Sequence, residues 1–366
     1  MERISNYQLL SLTLMFQIGT TIIFGFASTA GKDAWIAVLI STAIGIVITY
    51  GNIMLMKLNP GLTLVEWFPK QWGKWIGTPI AWLYPFLFLY IAGRIISDLT
   101  FLIPATLMPL TPPLFLLIFF MIPVAYALYH GIEVVGRLGG LLLLVLLLLF
   151  TFELVLLMFD KEMYNTRNIL PIAGEGFKDI LEAVWPTGIT QSFGEILIFG
   201  MIWPLVKHQD RVLKTALFST LLTGLFLAIS NILAVLSLGE VIFKRSYFPL
   251  YLLLTQVSFG DFIENLDVFG VTYFFVTAFF KITLYLFAAI RGIQILTMMQ
   301  SSSHRLIIPV CLAALFVGMT MSENIMEHIT GVHMKILSPY LWVPLLLVLP
   351  FLLLITSLIR KGLVKS

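Results

Sequence analysis

Charge is what this sequence has least of. Only 11% of its 366 residues are Asp, Glu, Lys or Arg, while 59% are hydrophobic and the mean hydropathy is +0.99. Soluble domains carry roughly a quarter charged residues, so this surface could not be wetted by water and the chain reads as an integral membrane protein. Its net charge of +3 comes from scattered rather than clustered basic residues, which excludes nucleic acid as a partner. A single cysteine, Cys311, excludes an intrachain disulfide and a Cys-based metal site. There is no Asn-x-Ser/Thr sequon. Nor is there a phosphate-cradling Gly-Lys-Ser/Thr motif, a nucleophile elbow or a His-Glu-x-x-His pair, so neither ATP coupling, nor a cofactor, nor an enzyme is expected. The first apolar run begins soon after Met1 without a small-residue cleavage site, and is expected to be retained as a span.

Long apolar runs are what the chain has in abundance. About 20 apolar residues cross the hydrocarbon core as a helix. Ten segments approach that requirement: 8–28, 34–56, 80–106, 113–129, 138–159, 185–205, 215–238, 268–290, 306–322 and 339–359. Backbone polar groups in lipid must be satisfied internally, and these runs are too long and too uniformly apolar for barrel strands, so an all-α bundle of about ten transmembrane helices is expected. Lys and Arg on the side of the N-terminus outnumber those on the other side nearly two to one, which predicts cytoplasmic N- and C-termini. The longest hydrophilic stretch, with Lys161, Glu162, Arg167, Glu175, Lys178, Asp179 and Glu182, divides a single transmembrane domain into a first half, 1–160, an outer loop, 161–184, and a second half, 185–366. Five spans per half place the halves in opposite orientation, as an inverted repeat requires. The first span of each half carries a local echo, Gly19-Thr-Thr-Ile-Ile-Phe-Gly25 against Gly194-Glu-Ile-Leu-Ile-Phe-Gly200. Glycine-interrupted apolar segments in corresponding positions of two halves point to a binding site near the membrane midplane.

Four ionisable residues lie deep in spans: Arg94, Asp98, Glu195 and Lys281. Each costs at least about 2.5 to 3.5 kcal/mol at a helix centre, so each must face protein or a water-filled cavity. Arg94 and Asp98 are four residues apart and share a helical face. These four form either two structural ion pairs that lock the bundle or a polar ligand or proton pathway. Gln17, Gly19, Thr20 and Thr21 on the first span, and Ser192, Gly194 and Glu195 on the sixth, interrupt otherwise apolar helices. Free backbone N–H groups there would bind a carboxylate, and free carbonyls an ammonium. The alternative is small residues that permit close helix packing. His328 and His333 are spaced five apart, which suits one helical face poorly, and are expected on a solvated outer loop rather than as metal ligands. The stretch 64–75, with Trp67, Phe68, Trp72 and Trp75, reads as an amphipathic segment on the cytoplasmic membrane surface.

Several stretches together carry a resemblance: Ile4-Ser5-Asn6-Tyr7-Gln8 followed by Gln17-Ile18-Gly19; Ala30-Gly31-Lys32-Asp33-Ala34-Trp35; Leu110-Thr111-Pro112; Gly131-Ile132-Glu133-Val134-Val135-Gly136-Arg137; and Phe193-Gly194-Glu195. In this order and spacing the chain resembles the B subunits of Bacillus-type spore germinant receptors, within the amino acid/polyamine/organocation transporter superfamily. The resemblance implies a ten-helix bundle with a five-plus-five inverted repeat and broken first and sixth helices. It also implies residence in the spore inner membrane and sensing of a nutrient, commonly an amino acid, beside an A-type membrane subunit and a C-type lipoprotein. The ligand site it implies lies at Gln17, Gly19, Thr20, Thr21, Ser192, Phe193, Gly194 and Glu195. On the third and eighth spans Tyr90, Arg94, Tyr273 and Thr277 are chosen by depth and residue type. Superfamily transporters often show a Gly-x-Gly-like turn in the first helix, and Gln17-Ile18-Gly19-Thr20-Thr21 departs from it. Three functions follow: a germinant sensor, a proton-coupled amino-acid transporter using Glu195 or Lys281, and a structural membrane subunit.

Overall fold

The computed structural model describes residues 3–106, 108–159, 164–174, 176–256, 258–259, 263–264, 266–299 and 304–365. Lys161, Glu162 and Glu175 of the expected outer loop lie outside them. The first helix, α1 (Asn6–Ile18), starts at a capping box. Ser5 N–H donates to Gln8 Oε1 at 2.7 Å, and the Ser5 hydroxyl accepts from Gln8 N–H at 3.2 Å. The α-helix stops at Gly19, whose φ of +45° L side chains rarely adopt, and gives way to 3-10 turns at Gly19–Ile22 and Ser28–Asp33. There follow α2 (Ala34–Leu58), α3 (Leu64–Thr106), α4 (Pro113–His130) and α5 (Ile132–Phe159).

The second broken segment begins with α6 (Lys178–Ala183) and a π-turn at Val184–Gly188, and ends in the 3-10 stretch Gly194–Met201. Here the break is not at Gly194, as its glycine suggested. The left-handed residue is Ser192 at φ +60°, and Gly194 opens the 3-10 stretch that follows. The remaining helices are α7 (Val212–Arg245), α8 (Pro249–Gln256), α9 (Asp267–Leu296), α10 (His304–Thr320), the π-helical run Glu327–Val348 and α11 (Leu349–Lys365). A two-residue strand pair, Ser258–Phe259 with Ile263–Glu264, lies between α8 and α9.

Among the described residues, seven helices are long and apolar enough to span a membrane, and α10 is a shorter apolar helix. The expected spans 8–28 and 185–205 are absent from that group because each is broken into short pieces. The long helices sort by burial. In α3 and α9, 72% and 78% of the most apolar window is buried, against 33% in α4 and α5, so α3 and α9 form the centre and α4 and α5 the outside. Phe115, Phe119, Ile122, Leu144 and Leu148 on the outer pair are exposed, as side chains facing lipid would be. Glycine sets how closely the inner helices approach. A Cβ on Gly93 of α3 would lie 2.6 Å from Val317, and one on Gly318 of α10 would lie 2.6 Å from Ile96. The chain start is tied to the end of the second broken segment, with Ile4 N–H donating to the Leu205 carbonyl at 3.0 Å and Lys207 N–H to the Ile4 carbonyl at 2.9 Å.

One expectation changes and another gains detail. The segment 64–75 is amphipathic as expected, and its apolar face packs on the protein body. Trp67 and Phe68 are fully buried and Trp72 donates to the Thr356 hydroxyl at 2.8 Å, while only Trp75 stands out, 95% exposed. His328 and His333, expected on a solvated loop, are buried in the run Glu327–Val348 at 1% and 2% exposure. That run is a π-helix, whose i to i+5 hydrogen bonding brings residues five apart closer to a common face than an α-helix would.

Candidate functional site

The four deep charges pair. On α3, Arg94 Nη1 lies 3.5 Å from Asp98 Oδ2, one helical turn apart. From α9, Lys281 Nζ reaches Glu195 Oε2 at 2.7 Å. Both pairs are almost completely buried, and both sit against the broken segments. Asp98 accepts from the Thr20 hydroxyl at 3.0 Å and pairs with His328 Nε2 at 2.7 Å, so one carboxylate joins the first broken segment, α3 and the π-helical run. The stem of Lys281 lies across the first break, where a Cβ on Gly19 would come within 2.6 Å of its Cδ. A helix that stops in apolar surroundings leaves carbonyls without partners. Thr277 meets one of them, donating to the Gly19 carbonyl at 2.8 Å. Across the centre, the Thr21 and Ser192 hydroxyls stand 2.9 Å apart and join the two breaks directly.

Other sequence candidates face elsewhere. Gln17 donates to Thr220 at 3.3 Å and accepts from Thr223 at 3.5 Å, so its amide belongs to the contact with α7. Tyr273 donates to Glu153 Oε2 at 3.0 Å, toward α5. Tyr90 is half-buried one turn before Arg94. Phe193 packs against Gly45 of α2 and meets the ring of Phe26 edge-on at 6.0 Å. Gly194 lies against Leu346 and Leu347.

Beside this network is a cavity of about 470 Å3, lined by Arg94 and by residues 24–29, 182–183, 186–188, 191, 244–247, 329–330 and 333–334. Of its lining residues, Glu182, Lys244 and Arg245 are exposed, and Arg94 and His333 are buried. Arg94 alone of the sequence candidates lines it. The sequence reading missed His328 and His333 as members of the site. The available signal was the apolar run that follows them, which continues the last span back toward residue 327.

The chain matches the spore germination protein family over residues 3–327. The chain belongs to this family. Among its relatives, the spore germination protein KB of Bacillus subtilis (strain 168) is 29% identical over 363 residues, covering 98% of this chain and 95% of that protein. The spore germination protein XB of Bacillus anthracis is 23% identical over 259 residues, 70% of this chain and 71% of that protein. The spore germination protein A2 of Bacillus subtilis (strain 168) is 22% identical over 263 residues, 72% and 71% of the two chains. Family membership and the apolar helices together make this a multi-pass spore germination membrane protein of the germinant-receptor B-subunit type. The family match ends at 327, where the π-helical run begins, so it covers Asp98, Glu195 and Lys281 but stops short of His328 and His333.

Proposed function

We propose that this protein is the nutrient-sensing subunit of a spore germination receptor. It binds a small neutral amino acid or similar nutrient at a midplane pocket between the two broken segments, α3 and α9, and signals to an A-type membrane subunit and a C-type lipoprotein in the spore inner membrane. The observation that carries this reading is the meeting of the two helix breaks, through Thr21 and Ser192, beside two buried ion pairs and a cavity. Polar groups at such depth are costly even when paired, and they mark a ligand site or a pathway by default. The pocket comprises Gly19, Thr20, Thr21, Arg94, Ser192, Glu195 and Thr277. Lys281 lies over Gly19 in this conformation. Admitting a ligand there requires its side chain to move, which couples binding to the Lys281–Glu195 pair and supplies two states for partners to read. The two broken segments and α10, added to the seven long helices, complete a ten-span, five-plus-five inverted repeat with cytoplasmic termini. The test is the nutrient dose-response of spores carrying Gly19→Leu, with receptor assembly verified by immunoblot. An unchanged response in assembled receptors would overturn the proposed pocket.

The buried Lys281–Glu195 pair at the second break favours one other reading, a proton-coupled amino-acid transporter. Purified protein in liposomes separates the two. Proton-driven accumulation of an amino acid that is lost in Glu195→Gln belongs to a transporter, whereas a sensor binds without accumulation.

A further inference from the structure

We propose that the exposed cations where α3 begins and α11 ends form a binding site for the phosphate headgroups of anionic phospholipids. The start of α3 is amphipathic and its apolar side packs inside the protein, so its charged side is left to meet something else. Lys70 and Lys74 are exposed on that side. Gly73, at φ +80° with open space where a Cβ would be, interrupts the helix between them, and Trp75 and Ile76 beyond it stand 95% and 62% exposed. The end of α11 lies against the same segment. Arg360 Nη1 donates to the Lys70 carbonyl at 3.5 Å, and one turn earlier the Thr356 hydroxyl accepts from Trp72. Arg360 and Lys361 are exposed there, which brings Lys70, Lys74, Arg360 and Lys361 to one end of the molecule.

The protein does not neutralise this cluster itself. Among the described residues, none of these cations pairs with a carboxylate. Glu66 is the one acid in the stretch 64–79, and α11 has none. Glu66 Oε2 accepts from the Thr63 N–H at 2.8 Å and from the Thr63 hydroxyl at 2.7 Å, so it closes the helix start rather than meeting a lysine. Position along the membrane selects the counter-charge. Phe351, Ile355, Leu358 and Ile359 are exposed on α11 up to the residue before Arg360, as side chains facing hydrocarbon would be, and tryptophans such as Trp75 concentrate at the membrane boundary. The cations that follow therefore sit at headgroup level, where phosphate is the abundant anion. Arg360 gives one N–H to the Lys70 carbonyl and keeps the other donors of its fork for phosphate, while the lysines add point charges. Clusters of about four to eight Lys and Arg beside a transmembrane helix end attract anionic lipids. The site goes beyond the sensor reading, does not depend on it, and holds for either orientation of the termini.

The experiment is native mass spectrometry of the full chain released from nanodiscs of phosphatidylglycerol and phosphatidylcholine in equal amounts, with the retained lipids counted. The wild-type protein retains phosphatidylglycerol over phosphatidylcholine by about ten-fold or more. Replacing the cluster together, Lys70→Gln, Lys74→Gln, Arg360→Gln and Lys361→Gln, abolishes that preference. The pairs Lys70→Gln with Lys74→Gln, and Arg360→Gln with Lys361→Gln, each lose part of it. The charge-keeping set Lys70→Arg, Lys74→Arg, Arg360→Lys and Lys361→Arg retains it. Glutamine at Lys207, Arg211, Lys214 and Arg305, exposed cations on other elements, controls for net charge and leaves the preference intact. No preference in the wild-type protein, an undiminished preference in the glutamine cluster variant, its loss in the charge-keeping set, or equal loss in the control overturns the site. A cluster variant that keeps the lipid preference but no longer co-purifies with another membrane subunit assigns the surface to a protein partner and likewise overturns it. None of these readouts involves a nutrient, so this site and the proposed pocket fail separately.

Discussion

At the scale of single residues, the two glycines that the sequence singles out as a matched pair are unequal. Gly19 has φ +45° and Lys281 lies where its Cβ would be. Gly194 has neither constraint, its nearest atom to a Cβ being the Ile189 carbonyl at 3.4 Å, an ordinary contact. Gly19→Ala should therefore reduce the nutrient response of spores at least ten-fold, and Gly194→Ala should change thermal stability by no more than about 1 kcal/mol. The nutrient dose-response of spores carrying each variant, with an unfolding scan of the two purified proteins, checks this; equal damage by both would contradict it. The buried pair Glu195–Lys281 supplies a second expectation. Removing one partner leaves an uncompensated charge, at a cost of about 3 to 5 kcal/mol, whereas removing both is far less harmful. Glu195→Gln or Lys281→Met alone should lower the unfolding temperature, and the double substitution should recover most of the loss. A double-mutant cycle with no coupling would show that the pair does not hold the bundle.

At the scale of elements, the contrast lies between continuous and broken helices. The apolar runs that became α2, α4, α7 and α9 start within a few residues of their expected positions, because length and hydropathy suffice to define an uninterrupted helix in lipid. The two broken segments were legible as sites of interruption, but the break in the second fell at Ser192 rather than at Gly194. A serine tolerates that strained backbone because its hydroxyl is held by Thr21, a residue 171 positions away, and no local pattern contains that information. Linking the two breaks should therefore freeze the protein in this conformation. Thr21→Cys with Ser192→Cys should form a disulfide in the absence of other accessible thiols, since Cys311 is buried. Oxidised spores of this double variant should lose nutrient response and regain it on reduction. A full response in the oxidised form would show that the breaks do not move relative to each other during signalling.

For the whole molecule, topology is the property with most consequence. The proposed ten spans and cytoplasmic termini would put Leu110, which is 98% exposed between α3 and α4, on the opposite side from Lys361 near the chain end. Cysteines introduced singly at these positions should react with a membrane-impermeant maleimide from opposite sides of sealed vesicles. Labelling from the same side would remove the ten-span arrangement and with it the inverted repeat.

Hydropathy by itself determined that the chain is a membrane-embedded helical protein and roughly where its uninterrupted helices run, because burial of the backbone in lipid is a local and additive requirement. The one-turn spacing of Arg94 and Asp98 was likewise enough to bring them together, since a helix places such residues on one face. Only the tertiary structure decided that Lys281 meets Glu195, that His328 joins Asp98 and that His333 shares an indole with Arg94. Those contacts join elements far apart in the chain, and they depend on a π-helical winding near residue 327 and on close approaches that are set by packing rather than by any local pattern.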